Sequence, residues 1–383
     1  MILLAVIYLV FISLGLPDSI FGVAWPVIHT DFGVQESFAS IYMIIIALTT
    51  GGVSFFAGKL IQKFGTAKVT LISIVLTVIS LVGISFAPNL VVMMIFSIIG
   101  GYGAGAIDTG LNNYVSLHYE ARHMSWLHCF WGVGVTVSPV IMSFFLGDGN
   151  WRAGYRAVAA IQAVIMLFVV LYANRWDKLE KLSAKAETTG EESGEKQNIF
   201  KIKGVVTSIL SLGLYCSMEF LLGTWGATFL VNAHSCSPEI AARWVSLYYG
   251  GIMLGRLISG FLSMRVNDKM LIRLGSAVSF AGIVLLALPL KEISFFGLLL
   301  IGTGFGPIFP SVLHTVPENF GKANSADITG KHMGGAYAIG FTVQLVFGYV
   351  AEATSFGITP FVLLAICAGL MIAREITNKR VKK

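Results

Sequence analysis

The chain has 383 residues, of which 56% are hydrophobic and 12% are charged. Soluble domains carry about 25% charged residues, so this composition excludes an ordinary soluble protein and indicates one that lies mainly in lipid. The formal net charge of +6 does not indicate nucleic-acid binding, because the basic residues occupy short connections and the C-terminus. The four cysteines show neither metal-ligand nor CxxC spacing, and we expect them to pack as small apolar side chains.

Long apolar runs separated by short polar connections fill the chain, and a run of about 20 apolar residues can span a bilayer. These runs predict twelve transmembrane helices, at residues 3–29, 36–61, 67–87, 89–116, 123–147, 153–173, 203–231, 239–263, 270–289, 293–314, 327–351 and 357–376. The first run lacks a cationic stretch before it and an A-x-A cleavage site after it, so we interpret it as a spanning helix. Pro17 predicts a break within that helix.

A polar segment, residues 174–203, separates the sixth span from the seventh. Its charge and its Gly, Ser and Thr content predict a flexible linker. We therefore predict an N-terminal six-helix half (1–173) and a C-terminal six-helix half (204–383). Lysines and arginines are concentrated in the linker, in the C-terminal tail and in the connections on the same side of the membrane. The positive-inside rule then predicts that both termini and the linker are cytoplasmic.

The two halves repeat each other. The correspondence is clearest at two glycine triplets, Gly101, Gly103 and Gly105 in span four and Gly302, Gly304 and Gly306 in span ten. Such small residues let neighbouring helices approach closely. A parallel repeat of this kind predicts an all-α membrane fold whose halves are related by a pseudo-two-fold axis along the membrane normal. Secondary transporters built this way bind their solute between the halves, near the midplane.

Three carboxylates fall inside predicted spans: Asp18 in the first, Asp108 in the fourth and Glu219 in the seventh. A charged side chain in lipid is costly unless it faces a bundle interior or an aqueous cavity, so each is a candidate functional residue. We predict that the three couple transport to a proton, and that Asp18 also contacts the solute. The structural alternatives are a permanent ion pair for Asp108, an interfacial position beside Pro17 for Asp18, and pairing with Arg256 for Glu219.

Amide and aromatic side chains near these acids predict a largely apolar solute site with a few placed polar groups. Indole rings can stack on the apolar faces of sugars. Besides Asp18, the predicted solute-binding residues are Asn112, Asn113, Trp131, Trp225, Gln162, Tyr249 and Gln344.

Two basic residues are predicted to act in gating: Arg256, inside span eight, and His128, near the start of span five. The alternative for Arg256 is binding of an anionic solute. The alternatives for His128 are a proton relay and an ordinary hydrogen-bonded histidine. His314 and His332 fall at the inner ends of spans ten and eleven, where we expect them at the membrane interface.

The segment GKLIQKFGTAK (58–68) resembles the glycine-rich basic loop between helices two and three of the major facilitator superfamily. The position that is acidic in that family is Gln62 here. The resemblance extends over the whole chain and implies the twelve-helix fold of that superfamily.

Two further patterns resemble the fucose–proton symporter group and related bacterial sugar permeases. They are Leu-Pro-Asp at 16–18 in helix one and the acid, Thr and Asn pattern at 106–112 in helix four. In that group the helix-one acid contacts the sugar and the helix-four acid takes part in proton coupling. The resemblance therefore implies these roles for Asp18 and Asp108, with Asn112 beside them.

We predict a secondary active transporter that moves a small polar solute, a monosaccharide or polyol, by alternating access with proton symport. The rival prediction on the same fold is an exporter of amphiphilic drug-like or lipid-linked compounds by proton antiport. The sequence contains neither a G-x-x-x-x-G-K-[ST] nucleotide motif nor an HExxH metal motif, so ATP-driven transport and a membrane enzyme are not expected.

We also expect no cofactor, no metal ion and no nucleic-acid partner. The expected partners are the small-molecule solute, the coupling proton and the lipid bilayer of the plasma membrane. The expected oligomeric state is a monomer. A nutrient sensor is a third possibility, but it would need a sizeable soluble part that the linker does not supply.

Overall fold

The structure of the protein is a computed structural model that describes residues 2–118, 121–184, 199–321 and 325–381. These residues contain α-helices, two 3-10 helices and no strand. The α-helices are α1 (Ile2–Asp18), α2 (Ile20–Phe32), α3 (Phe38–Phe64), α4 (Thr66–Ser85), α5 (Leu90–His118), α6 (Ala121–Leu146), α7 (Trp151–Ala184), α8 (Val205–His234), α9 (Pro238–Leu262), α10 (Asp268–Leu286), α11 (Lys291–Phe305), α12 (Ile308–His314), α13 (Val316–Phe320), α14 (Ser325–Ala353) and α15 (Thr359–Val381). The 3-10 helices are Ile199–Lys201 and Phe356–Ile358.

Eleven helical segments of the described chain are long and apolar enough to cross a membrane. The apolar part of α3, Phe38–Ser54, is a shorter twelfth segment and lies where the second span is predicted. The predicted all-α membrane fold is therefore confirmed. In lipid a helix satisfies every backbone polar group within itself, which explains why nearly all of these apolar runs are helical.

Two predicted spans are interrupted. The first breaks at Ser19 rather than at Pro17, because α1 ends at Asp18 and α2 begins at Ile20. The tenth, 293–314, is divided into α11 and α12 with Pro307 at the break, and α13 follows it. Proline has no N–H and its ring clashes with the preceding turn, so a helix that reaches it tends to bend or stop.

The predicted linker is helical at its start. Helix α7 continues through Ala184 and so includes the first part of the segment 174–203. Close to its end lies the 3-10 helix Ile199–Lys201. Residues 185–198 lie outside the described part of the chain.

The chain divides into two compact units. Unit 1 comprises Met1–Thr189 and Ser237–Ser246, and unit 2 comprises Gly190–Cys236 and Leu247–Lys383. In unit 1, α1 packs on α6 and α7, while α5 packs on α3 and α4. In unit 2, α8 packs on α14 and α15, while α10 packs on α11.

The two glycine triplets pack alike in the two units. In unit 1, β-carbons added to the first and third glycines would clash with α3, and one added to Gly103 would clash with α4. In unit 2, β-carbons added to the first and third glycines would clash with α9, and one added to Gly304 would clash with α10. The repeat in the sequence is therefore also a repeat in helix packing, as the small residues predict.

Candidate functional site

The acids of unit 1 lie near a close crossing of α1 and α6. A β-carbon on Gly15 would clash with the carbonyl oxygen of Trp131, and one on Gly134 would clash with that of Ile12. The hydroxyl of Ser19, at the break between α1 and α2, donates to the carbonyl oxygen of Val135 at 2.8 Å. The two backbones are thus held together where the first span is interrupted.

This crossing brings Asp18 against Trp131. The indole Nε1 of Trp131 donates a hydrogen bond of 2.8 Å to Oδ2 of Asp18. Asp18 is exposed although it lies within a membrane-spanning stretch, and Trp131 is half-buried. The carboxylate of Asp18 is bound by the indole on one side and is accessible on the other. Its accessible side can accept hydrogen bonds from the hydroxyl groups of a solute.

Asp108 is held by the neighbouring turn of its own helix. The amide Nδ2 of Asn112 donates to Oδ1 of Asp108 at 2.8 Å and to its carbonyl oxygen at 3.0 Å. The two residues are four apart on α5 and therefore share a face. Both are half-buried, and the charges of Asp108 and Asp18 are close enough to interact. We call Asp18, Trp131, Asp108 and Asn112 the acidic cluster.

Two other predicted residues of unit 1 lie apart from these contacts. His128 is half-buried, and its ring meets Phe11 edge-on with centroids 6.0 Å apart. Gln162 is fully buried on α7 and donates to the hydroxyl of Thr77 on α4 at 2.8 Å. The structure therefore gives Gln162 a packing contact between helices. The side chain of Asn113 lies outside the described part of the structure.

In unit 2, Glu219 and Arg256 interact electrostatically. Both side chains are half-buried, Glu219 on α8 and Arg256 on α9. The hydroxyl of Tyr248 donates to the carbonyl oxygen of Glu219 at 3.4 Å, and Tyr215 is a further neighbour of the glutamate. This is the pairing that the sequence left open as the structural alternative for Glu219.

Three aromatic and amide residues predicted to bind solute are buried in unit 2. Trp225 is fully buried, with ring centroids 6.3 Å from Phe347 and 5.2 Å from Phe356. Gln344 is 1% exposed and donates to Thr224 at 2.8 Å. Tyr249 is 6% exposed, with its ring 5.0 Å from that of Tyr248. All three side chains therefore pack against protein neighbours, and their predicted solute contacts stay predictions.

The sequence did not reveal one buried pair in unit 1. The hydroxyl of Tyr8 lies 2.9 Å from Nδ1 of His123, and its ring stacks on Phe130 at 4.6 Å. No spacing rule connects side chains on α1 and α6 that are so far apart along the chain. Among the described residues, no group of three or more His, Cys, Asp or Glu side chains could hold a metal ion.

The chain matches the Major Facilitator Superfamily over residues 7–348. It is 23% identical to the "Glucose/mannose transporter GlcP" of Bacillus subtilis, covering 71% of this chain and 70% of that protein. It is 22% identical to the "Quinolone resistance protein NorB" of Staphylococcus aureus, covering 91% of this chain and 88% of that protein. The structure superposes on FucP, the E. coli fucose:proton symporter, in its outward conformation with a TM-score of 0.67, 14% identity and coverage of 100% and 99%. This chain therefore belongs to the Major Facilitator Superfamily of membrane transporters.

Proposed function

We propose that the protein moves a small polyhydroxylated solute, a monosaccharide or polyol, together with a proton. The observation that carries this proposal is the contact between Asp18 and Trp131, 2.8 Å long, at the break in the first span. An exposed carboxylate accepts hydrogen bonds from sugar hydroxyls, and the half-buried indole beside it offers an apolar ring face. The similarity to GlcP, which is named as a glucose/mannose transporter, supports the same solute class.

Asp108 is the proposed coupling carboxylate. Its described partner, Asn112, is an uncharged amide at 2.8 Å, so ionised Asp108 receives no compensating positive charge from it. Nearby Asp18 adds repulsion between like charges. Binding one proton removes a charge that is costly within the membrane, and the loaded protein can then change its conformation. Release of the proton on the other side completes the coupling.

Glu219 has a different role in this scheme. Its interaction with Arg256 offsets part of the cost of burying the glutamate charge, and in this scheme the two side chains stay together while Asp108 gains and loses its proton. The two side chains then form a fixed charge pair of unit 2. We further propose a monomer in the plasma membrane. The distribution of lysine and arginine supports a cytoplasmic position for both termini.

The test is uptake of labelled monosaccharides and polyols by proteoliposomes under an imposed pH gradient. Wild-type protein should accumulate at least one of these solutes, and collapse of the gradient should abolish the accumulation. Asp108→Asn should lose accumulation by about tenfold or more but still exchange labelled for unlabelled solute, because only the proton step is removed. Asp18→Asn should lose both activities.

Asp148→Asn is the matched control, because Asp148 is an exposed acid in the connection after α6. It should transport like the wild type. If Asp108→Asn accumulates solute and responds to the pH gradient as the wild type does, the assignment of the proton to Asp108 is wrong.

The second candidate is proton-driven export of an amphiphilic compound. It is favoured by the similarity to NorB, which is named as a quinolone resistance protein and aligns over 91% of this chain. The two functions predict opposite solute movements under the same pH gradient, since symport carries solute with the proton and antiport carries it against the proton. Export would be favoured if an inward proton gradient drives a fluorescent quinolone outward and no sugar is taken up.

A further inference from the structure

A buried arginine lies at the end of unit 2 that carries the C-terminal turns of α15. Arg374 is only 2% exposed. Its Nη1 donates a long hydrogen bond of 3.4 Å to Oγ of Ser208 on α8. Its Nε and Nη2 atoms are buried, and neither has a hydrogen-bond partner in the described part of the chain. Leaving charged donors unpaired inside a protein is costly, so this arrangement requires an explanation.

The two unpaired nitrogens lie on one edge of the guanidinium group. Nε–H and one N–H of Nη2 point the same way, and their spacing matches two oxygens of a carboxylate or phosphate. A neighbouring helix shows this geometry in use: Nε and Nη2 of Arg273 bind Oε1 and Oε2 of Glu375 at 2.6 and 2.7 Å. Arg374 presents the same edge without an anion on it.

The described side chain that hydrogen-bonds Arg374, and the histidine bound to it, carry no negative charge. Oγ of Ser208 lies 2.8 Å from Nε2 of His332, whose Nδ1 lies 2.9 Å from the carbonyl oxygen of Ile328. A carbonyl oxygen only accepts, so Nδ1 carries the proton of a neutral imidazole, and Ser208 donates to Nε2. This contact holds His332 fully buried within the protein, and its expected position at the level of the membrane interface stays a prediction.

The acids whose charges reach Arg374 are engaged elsewhere. They are Glu375 and Asp268. Glu375 is bound by Arg273, and Oδ2 of Asp268 lies 2.7 Å from Nδ1 of His314. Asn378 lies one helical turn after Arg374 on α15. Its Oδ1 atom is a buried acceptor that has no hydrogen-bond partner among the described residues. That oxygen cannot neutralise a cation, although it can accept a hydrogen bond from a protonated oxyanion.

The surface at this end of unit 2 is basic and partly apolar. The start of α8 meets the end of α15, because a β-carbon on Gly204 would approach Arg380 and Val381. Exposed cations lie on the chain at both of these helix ends. The exposed cations are Lys201, Lys203, Lys379 and Arg380. Beside them are exposed apolar side chains, Phe200 on the 3-10 helix, Val206 on α8, and Ile372 and Ile376 on α15. Basic groups next to apolar helix surface are the features that bind phospholipid headgroups.

An apolar cluster packs between the start of α8, α13 and α14 and reaches His332. It consists of Ile199, Val205, Val316, Phe320 and Ile328. The ring of Phe320 lies 6.4 Å from that of His332. Two cluster residues belong to α13 and one to the 3-10 helix Ile199–Lys201, both very short elements that a small local movement can displace.

We propose that this end of unit 2 binds a phosphate group on the Nε and Nη2 edge of Arg374. The phosphate comes either from the free ion or from the headgroup of an anionic phospholipid. The exposed lysines and Arg380 attract it, and displacement of the short elements admits it to the buried guanidinium. Bound phosphate supplies an anionic partner for the two nitrogens, which none of the described side chains provides. This site is independent of the acidic cluster and of the transported solute.

The test is thermal unfolding of the purified full-length protein with two probes. The first is inorganic phosphate, titrated against chloride at constant ionic strength in a neutral detergent. The second is phosphatidylglycerol, compared with phosphatidylcholine in nanodiscs. We expect Tm of the wild type to rise by about 2–4 °C at saturation with at least one probe. A shift with phosphate alone assigns the site to the free ion, and a shift with phosphatidylglycerol alone assigns it to the lipid.

Arg374→Met removes the guanidinium and keeps an apolar side chain of similar length. This variant should lose the shift, and in chloride it should unfold at the same temperature as the wild type or higher, because an unpaired buried charge is gone. Arg273→Met is the matched control, since it removes the arginine edge that already binds Glu375. It should keep the full shift.

Arg374→Lys provides a second variant in case Arg374→Met does not fold. Lysine keeps the charge but lacks the two-nitrogen edge, so the shift should fall to less than half of the wild-type value. The proposal is overturned if neither probe shifts the wild type, or if either Arg374 variant shifts as much as the wild type does.

Discussion

At the scale of single residues, solvent exposure distinguishes side chains that have similar sequence surroundings. Trp131 and Trp225 both lie inside apolar spans beside polar residues. Trp131 is half-buried and bound to Asp18, whereas Trp225 is fully buried against Phe347 and Phe356. Only the first can offer a ring face to a solute without rearrangement. We therefore assign the solute contact of the indoles to Trp131.

This assignment predicts a selective effect of Trp131→Phe. Phenylalanine keeps an aromatic ring but loses the N–H that donates to Asp18 at 2.8 Å. A hydrogen bond to a charged group contributes about 1.5–3 kcal/mol, and each 1.4 kcal/mol corresponds to a factor of ten in affinity. We expect KM for the solute to rise by roughly tenfold or more, measured as initial uptake rates in proteoliposomes.

The control is Trp126→Phe, on the same helix. Trp126 is exposed, and its ring meets His123 edge-on at 5.3 Å. Its replacement should leave KM within about twofold of the wild type. If Trp131→Phe instead lowers Tm and leaves KM unchanged, the hydrogen bond stabilises the fold and does not prepare Asp18 for a solute.

At the scale of helices, glycine determines which elements come together. The triplets fix α5 against α3 and α4 in unit 1, and α11 against α9 and α10 in unit 2. The crossing at Gly15 and Gly134 brings α1 and α6 close enough for Asp18 to meet Trp131. Without a hydrophobic driving force between helices in lipid, such close backbone contacts contribute much of the packing energy.

Replacing these glycines by alanine tests the packing directly. In Gly103→Ala the new methyl group clashes with the carbonyl oxygen of Ser73, and in Gly304→Ala it clashes with that of Gly275. Overpacking of this kind costs about 1–3 kcal/mol. We expect both variants to unfold at lower temperature than the wild type in detergent, by a similar amount because the two positions are equivalent in the repeat.

Gly52→Ala and Gly260→Ala are the matched controls. A β-carbon at either position meets nothing within 4 Å, and both glycines lie inside helices, α3 and α9. Alanine is favoured over glycine in a helix by about 0.5–1 kcal/mol. These variants should be as stable as the wild type or more stable. Equal loss of stability in all four variants would show that the close approaches are unimportant.

At the scale of the whole molecule, the fold could be predicted and the site only in part. Apolar runs, their interruption by prolines and the repeated glycines follow from the chemistry of lipid and backbone, so the sequence records them. The sequence does not reveal which face of a helix packs inward, because lipid-facing and core-facing residues are equally apolar. Gln162 and Trp225 were therefore assigned to the solute site, whereas the structure gives them packing contacts.

The distribution of positive charge makes a prediction about the whole chain. Lysine and arginine are concentrated on one side of the predicted spans, which predicts that both termini are cytoplasmic. The connection after α6 is then external, and the segment before α8 is internal. Asp148 and Lys203 mark these two segments, and both are exposed. A cysteine at each position should therefore react with a thiol reagent from opposite sides of the membrane.

The experiment needs a background without the four native cysteines. All four are free thiols, three buried and one half-buried, and serine or alanine replaces each with a side chain of similar size. On that background, an impermeant maleimide should label Asp148→Cys in intact cells and Lys203→Cys only after permeabilisation. Transport by each variant confirms that the labelled protein is folded. The reverse labelling pattern would invert the topology, and the basic surface around Arg374 would then face away from the cytoplasm.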